Sequence, residues 1–241
     1  MVREAAGTRR AAAKARGSAA EKRERVSASP IAAPFPGKMV VVSGQCRKIG
    51  KTALVVDLIR GLHEFEWTAI KITPHAESGC PLNGAGCGCA PHEHTFAIRE
   101  EKEASDASDT ARFLTAGARR ALWVETKSGG LRDALAALAK TIQSDAFVIV
   151  ESNAILEFWR PNVCLMVVDP ARAEFKESGR TAMAVADAFV LRSPRAKGQR
   201  MESVPAGKPD RPEFVHSLGG ALPGDMQFFV RQRVARLGHP I

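Results

Sequence analysis

The stretch Met39-Val-Val-Val-Ser43-Gly44-Gln-Cys46-Arg-Lys48-Ile-Gly50-Lys51-Thr52-Ala53-Leu-Val-Val-Asp57-Leu-Ile-Arg-Gly-Leu62 decides the fold. Its first five residues form a short, apolar, β-branched run, the pattern of a strand buried on both faces. From Thr52 to Leu62 the apolar residues recur at helical spacing. Between them stand Gly44 and Gly50, followed by Lys51 and Thr52. Strand, glycine-bearing loop, Gly-Lys-Thr and helix, in that order, is the arrangement of a phosphate-binding loop. The chemistry asks for these residues. Backbone N–H groups at a helix N-terminus cradle phosphate oxygens. Lys51 supplies a cation to the β- and γ-phosphates, and Thr52 offers a hydroxyl to Mg²⁺. Gly44, Lys48, Gly50, Lys51, Thr52 and Ala53 are therefore the expected nucleotide contacts for GTP or ATP.

The same alternation continues outward. Trp67–Thr73, Ala121–Glu125, Ala146–Glu151, Val163–Val168 and Ala188–Leu191 read as further strands, the last closing the core. Thr110–Ala118, Leu131–Ile142, Ala182–Ala186 and Asp225–Leu237 read as helices. Strands alternating with helices predict an α/β fold, a mostly parallel sheet with helices on both faces. A phosphate-binding loop also needs an acid at the carboxyl end of a neighbouring strand to direct Mg²⁺. Glu151 fits that place, and Asp169, ending Val163–Val168, is the competing candidate. Lys51 and Glu151 are the expected catalytic pair, and Thr52 and Glu151 the expected magnesium ligands. No base-reading Asn-Lys-x-Asp motif occurs, so the sequence does not choose between guanine and adenine.

Composition bounds the rest. The chain has 241 residues, 45% of them hydrophobic and 25% charged, which excludes a wholly disordered or collagen-like chain. No apolar run reaches the ~18–20 residues of a membrane helix. Of the net charge of +9, residues 1–38 carry nine basic and three acidic side chains, a net of +6, so the remaining residues carry only +3. The basicity belongs to an Ala-, Arg- and Lys-rich segment, residues 1–36, expected to be a disordered tail. No basic face is expected on the folded part, so nucleic acid is not an expected partner. Residues 37–192 are the expected nucleotide-binding domain and 193–241 a Pro- and Gly-rich extension packing on it. Five cysteines without a secretory signal read as reduced thiols, which places the chain in the cytoplasm.

Three of those cysteines and three of the six histidines crowd into residues 75–94: His75, Cys80, Cys87, Cys89, His92 and His94. Thiolates and imidazoles are ligands for Zn²⁺ or Ni²⁺, and glycines between them let a loop close around an ion. Cys80, Cys87, Cys89, His92 and His94 are the candidate metal ligands, within an insertion over residues 75–95. Redox-active thiols and an incidental Cys/His-rich loop are the alternatives. Cys46 lies in the phosphate loop, and Cys164 reads as core.

Together these residues resemble a known family. Ile70-Lys71-Ile-Thr73-Pro-His75 is similar to the I-K-x-T-x-H strand end of molybdopterin-guanine dinucleotide biosynthesis protein B. Asp109-Thr110-Ala-Arg112-Phe-Leu-Thr-Ala116-Gly117-Ala118 is similar to that family's D-[ST]-x-R-x-x-x-A-G-A. The match runs over residues 38–152 and departs at Ser152, where the family has glycine. It implies a P-loop NTPase fold, Mg²⁺, a homodimer, and an accessory role beside a metalloenzyme or cofactor-biosynthesis protein. By position it puts Lys71, His75, Asp109 and Arg112 at the substrate or switch side of the nucleotide cleft. The five residues between Gly44 and Gly50, one more than usual, resemble dethiobiotin synthetase instead. The Asn83-Gly-Ala-Gly-Cys87-Gly-Cys89 run resembles metallochaperone GTPases. Three functions are thus expected. The first is a slow NTPase serving metal or molybdenum-cofactor maturation. The second is an ATP-dependent ligase or small-molecule kinase, and the third a non-catalytic metal- or nucleotide-sensing adapter.

Overall fold

The computed structural model describes residues 33–34, 37–74, 95–127, 129–194 and 211–235. The expectations for residues 1–32 and for the Cys/His stretch at 75–94 lie outside them. Eight strands make one sheet: β1 (Lys38–Gly44), β2 (Thr68–Pro74), β3 (Phe96–Glu100), β4 (Arg120–Thr126), β5 (Phe147–Glu151), β6 (Val163–Val168), β7 (Ala188–Leu191) and β8 (Glu213–Val215). Their order across the sheet is β8-β7-β6-β1-β5-β2-β4-β3. All neighbours are parallel except β3, which runs antiparallel to β4 at one edge. Ala33–Pro34 pairs in parallel with Trp159–Arg160 outside this sheet, so backbone pairing reaches into the segment expected to be a disordered tail.

Side chains alternate between the two faces of each strand, and here both faces are covered. On one side Val40 and Val42 of β1 join Leu54, Val55 and Leu58 of α1 (Lys51–Gly61), Phe113 of α2 (Asp109–Thr115), and Met226, Val230 and Val234 of α5 (Gly224–Ala235). On the other, Met39 and Val41 join Ala134, Leu135 and Leu138 of α3 (Leu131–Thr141) and Met183 of α4 (Glu177–Val185). The fold is an α/β sheet, largely parallel, flanked by helices on both faces.

The structure corrects the sequence reading in four places. β7 is not the last strand, because β8 adds to its open side. That strand is three residues long and follows Pro212, so it carries too little pattern to be read. β3 was also missed. It lies at the opposite edge, and its Arg99 and Glu100 break the apolar run. Helix α4 begins at Glu177, ahead of the expected Ala182, because its polar first turn faces the phosphate loop and solvent rather than the core. α2 stops at Thr115, where Gly117, with φ of 104°, turns the chain left-handed. There the Ala118 N–H bonds Phe113 O and the Gly117 N–H bonds Leu114 O.

Candidate functional site

The loop between β1 and α1 is built by close backbone approach. A Cβ on Gly44 would lie 2.6 Å from Ile49 Cγ2 and 3.0 Å from Lys51 Cγ, so the stem of Lys51 crosses directly over this glycine. Gly50 is left-handed, with φ of 105°, and Lys48 also has positive φ, at 56°. Such alternation turns successive N–H groups toward one side and makes an anion cradle. Among the described residues, the N–H groups of residues 46–50 make no hydrogen bond to the protein. α1 follows at once, so the unpaired N–H groups of its first turn, at Lys51, Thr52 and Ala53, extend the cradle.

Residues with no motif signature hold the loop in place. Asn153 clamps Gly44 from both sides: its Nδ2 donates to Gly44 O and its Oδ1 accepts from Gly44 N–H, each at 2.9 Å. Buried Gln45 ties the loop to the chain after β6, donating to Arg172 O at 2.7 Å and accepting from Asp169 N–H at 2.9 Å. Lys176 N–H bonds Gln45 O, and α4 follows so closely that a Cβ on Gly179 would lie 2.5 Å from that same oxygen. We expect Gly179→Ala to destabilise the protein by about 1–3 kcal/mol through overpacking. Urea unfolding checks this, and an unchanged midpoint would show that the loop yields easily. On the far side Leu218 covers Gly50. The adjoining His216 and Gly219 engage Asp57 of α1, with His216 Nε2 2.8 Å and Gly219 N 2.7 Å from Asp57 Oδ2.

The register across the sheet assembles the chemistry. Val42, Glu151, Lys71, Trp123 and Arg99 are consecutive partners across β1, β5, β2, β4 and β3, so their side chains share the face that carries α1 and α2. Thr52 Oγ1 donates to Glu151 Oε2 at 2.8 Å. Lys71 Nζ lies 2.5 Å from Glu151 Oε1, 3.4 Å from Thr52 Oγ1 and 2.9 Å from Asp109 Oδ2. Arg112 approaches the other Asp109 oxygen at 3.7 Å. Thr52, Lys71, Asp109, Arg112 and Glu151, drawn from four elements, thus form one ionic chain. Asp169 stands elsewhere, 3.4 Å from Arg172 and 3.9 Å from Arg192. Of the two acids at strand ends, only Glu151 meets Thr52. The Thr52 hydroxyl and the Glu151 carboxylate are hard oxygen donors of the type Mg²⁺ accepts.

The two lysines are tuned in opposite directions. Burial lowers the Lys51 pKa, and the charges of Lys71 and Lys176 lower it further against the opposing pull of Glu151. Burial also acts to lower that of Lys71, but Glu151 and Asp109 outweigh it and the net shift is upward. Lys51 is thus a cation short of counter-charge, whereas Lys71 is fully compensated. Cys46 and Cys164 are buried and free. Burial pushes the Cys164 thiol up to about 12, which makes it inert core. His75, Cys80, Cys87, Cys89, His92 and His94 lie outside the described residues. Among the described residues no group of three or more His, Cys, Asp or Glu side chains could hold a metal ion. No helix there is long and apolar enough to cross a membrane.

No family model matches the chain, and no curated protein matches it. Among solved structures it is similar to LpxK from Aquifex aeolicus in complex with ATP, with 14% identity and a TM-score of 0.43 over 82% of this chain. The match spans 62% of that protein's length.

Proposed function

We propose that this protein binds a nucleoside triphosphate with Mg²⁺ and transfers its terminal phosphoryl group to a small molecule, as a kinase or an ATP-dependent ligase does. One observation carries the reading. An under-compensated Lys51 arches over Gly44, with the Thr52–Glu151 pair beside it, and the ionic chain through Lys71 ends at Asp109 on the wall of a cavity. In this reading the phosphates bind the N–H groups of residues 46–53, and Lys51 neutralises the β- and γ-oxygens. Thr52 and Glu151 would hold Mg²⁺, which when bound neutralises the charge developing on the transferred group. Lys71 holds the Glu151 carboxylate beside Thr52.

A second reading, an accessory NTPase for metal or molybdenum-cofactor maturation, has support from one contact. The Lys71–Asp109 ion pair joins the two sequence motifs that resemble the molybdopterin-guanine dinucleotide family. Elemental mass spectrometry separates the two. About one zinc or nickel ion per chain, lost in the Cys80→Ser/Cys87→Ser/Cys89→Ser variant, would favour the accessory reading.

The shared step is tested by thermal denaturation with Mg·ATP and Mg·GTP. At a hundredfold excess over Kd, binding adds about 2.7 kcal/mol of stability. For a chain of this size that raises Tm by about 5–10 °C. If neither nucleotide moves Tm and neither binds in calorimetry, the reading fails.

A further inference from the structure

A cavity of about 240 Å³ opens at the carboxyl ends of β2 and β4, beside the ionic chain. Its walls are Lys71 and Thr73 from β2, Trp123 from β4, and Ser108, Asp109 and Thr110 at the start of α2. At ~30 Å³ per water it holds roughly eight, the bulk of one small molecule. The phosphate loop lies on the other side of Lys71, which bonds Thr52 there, so the cavity is separate from it.

The polar groups on its walls define what it can take. Lys71 is the one cation among the lining residues, and its donors are already directed to Glu151, Asp109 and Thr52. Arg112, 3.7 Å from Asp109, and Arg99, which lies 6.0 Å over the Trp123 ring and pairs with Glu125, are the nearby cations among the described residues, so a carboxylate or phosphate on the ligand would have to compete with an acid for each counter-charge. The Trp123 indole N–H donates to Thr73 Oγ1 at 3.1 Å, which leaves the threonine its own proton to donate. Asp109 Oδ2 is held by Lys71, but Oδ1 has only the distant Arg112, at 3.7 Å, and can accept. Ser108 and Thr110 hydroxyls each donate to Glu101 Oε2 at 3.0 Å; Ser108 Oγ also accepts from the Ala111 N–H at 3.0 Å, and the Thr110 oxygen keeps acceptor capacity. Among the described residues, an indole wall, several hydroxyl-scale donors and acceptors, and no nearby cation without an acidic partner suit a neutral, hydroxyl-rich molecule. Such a molecule offers C–H faces to the ring and O–H groups to the polar rim.

We infer that this cavity is the acceptor subsite of the phosphoryl transfer and that it takes a neutral polyol of monosaccharide size. The inference rests on the nucleotide-binding reading above. In the step it implies, the acceptor oxygen attacks the γ-phosphorus and a new P–O bond forms. The bond from the γ-phosphorus to the β–γ bridging oxygen breaks, and its electron pair leaves with the nucleoside diphosphate. The hydroxyl proton passes to the Asp109 carboxylate and then to water. Asp109 is placed for this because Lys71 alone separates it from Glu151 and Thr52, where the γ-phosphate is directed. Trp123 positions the acceptor and does not touch the phosphates.

The full-length protein, with Mg·ATP or Mg·GTP, is tested against glucose, galactose, ribose, myo-inositol and glycerol, and against gluconate and glucose 6-phosphate as anionic counterparts. Nucleoside diphosphate release is followed, and nucleotide binding is measured separately by calorimetry. At least one neutral polyol is expected to stimulate release tenfold or more above water, and the anions are not. Trp123→Ala should raise the KM of that polyol by about tenfold with a smaller change in kcat, and Trp123→Phe should recover most of the loss. Asp109→Asn should lower kcat by about a hundredfold. Nucleotide binding with no polyol stimulation, or with the anions preferred, overturns the acceptor assignment and leaves the nucleotide reading standing. Absence of nucleotide binding removes both.

Discussion

Lys51→Ala is expected to weaken nucleoside triphosphate binding by a hundredfold or more. A charge-assisted hydrogen bond is worth about 1.5–3 kcal/mol, and a phosphate-loop lysine makes such bonds to two phosphates. Each ~1.4 kcal/mol is tenfold in affinity. The free protein should suffer no matching loss. The Lys51 pKa lies below 10.5 because burial, Lys71 and Lys176 disfavour its charge. Removing the charge relieves a repulsion that the bound phosphates would otherwise relieve. The variant should therefore melt at or above the wild-type temperature without nucleotide, and lose the Mg·ATP shift. The sign of the pH dependence follows from the same shift. A lysine whose folded pKa is lowered penalises folding below that pKa, and the penalty fades as pH rises from there toward 10.5. Nucleotide affinity moves the opposite way, falling as Lys51 loses its proton. Calorimetry across an alkaline pH series checks both, and a Lys51→Ala variant that binds as wild type does would remove this lysine from the site.

Much of the site was legible because its parts lie in contiguous, patterned stretches. The run from Met39 to Leu62 shows a strand, two glycines, a lysine, a threonine and a helix, and each is needed for a local physical reason. Glu151 was legible as an acid ending an apolar strand, but so was Asp169. Register distinguishes them: β1 and β5 pair so that Val42 is opposite Glu151, which brings the carboxylate within 2.8 Å of Thr52. Pairing between distant strands leaves no trace in one sequence. The same holds for Trp123, which looked like any residue in an apolar strand. It gains a place on the cavity wall only because β4 lies beside β2, in register with Lys71. Asn153 and Gln45 were invisible for another reason. Their task is to bond backbone atoms, for which no spacing rule exists. The edge strands β3 and β8 escaped because an edge is only half buried and carries charges where a central strand would carry valine.

Glu151→Gln should all but abolish Mg²⁺-dependent turnover, by about a hundredfold to a thousandfold, the scale seen when one preorganised electrostatic group is lost. The neutral amide can still accept from Thr52, so the change isolates charge from shape. In the proposed function the lost charge would have two dependants: a magnesium ion held with the nucleotide, and Lys71. Glu151 is only 4% exposed, and with Asp109 it raises the Lys71 pKa above 10.5 against burial. A raised lysine pKa stabilises the fold at all pH values below 10.5, and that contribution is lost as pH climbs through the folded value. Glu151→Gln leaves Lys71 with Asp109 alone, so stability should fall by about 1–3 kcal/mol at neutral pH. The gap from wild type should then narrow in strongly alkaline solution. Asp169→Asn is the control, because it removes the other strand-end acid, whose partners are Arg172 and Arg192. It should leave the magnesium dependence of nucleotide turnover unchanged. If Asp169→Asn alters that dependence and Glu151→Gln does not, the metal is held from β6 rather than β5. The proximity of Thr52 to Glu151 would then serve only to anchor Lys71.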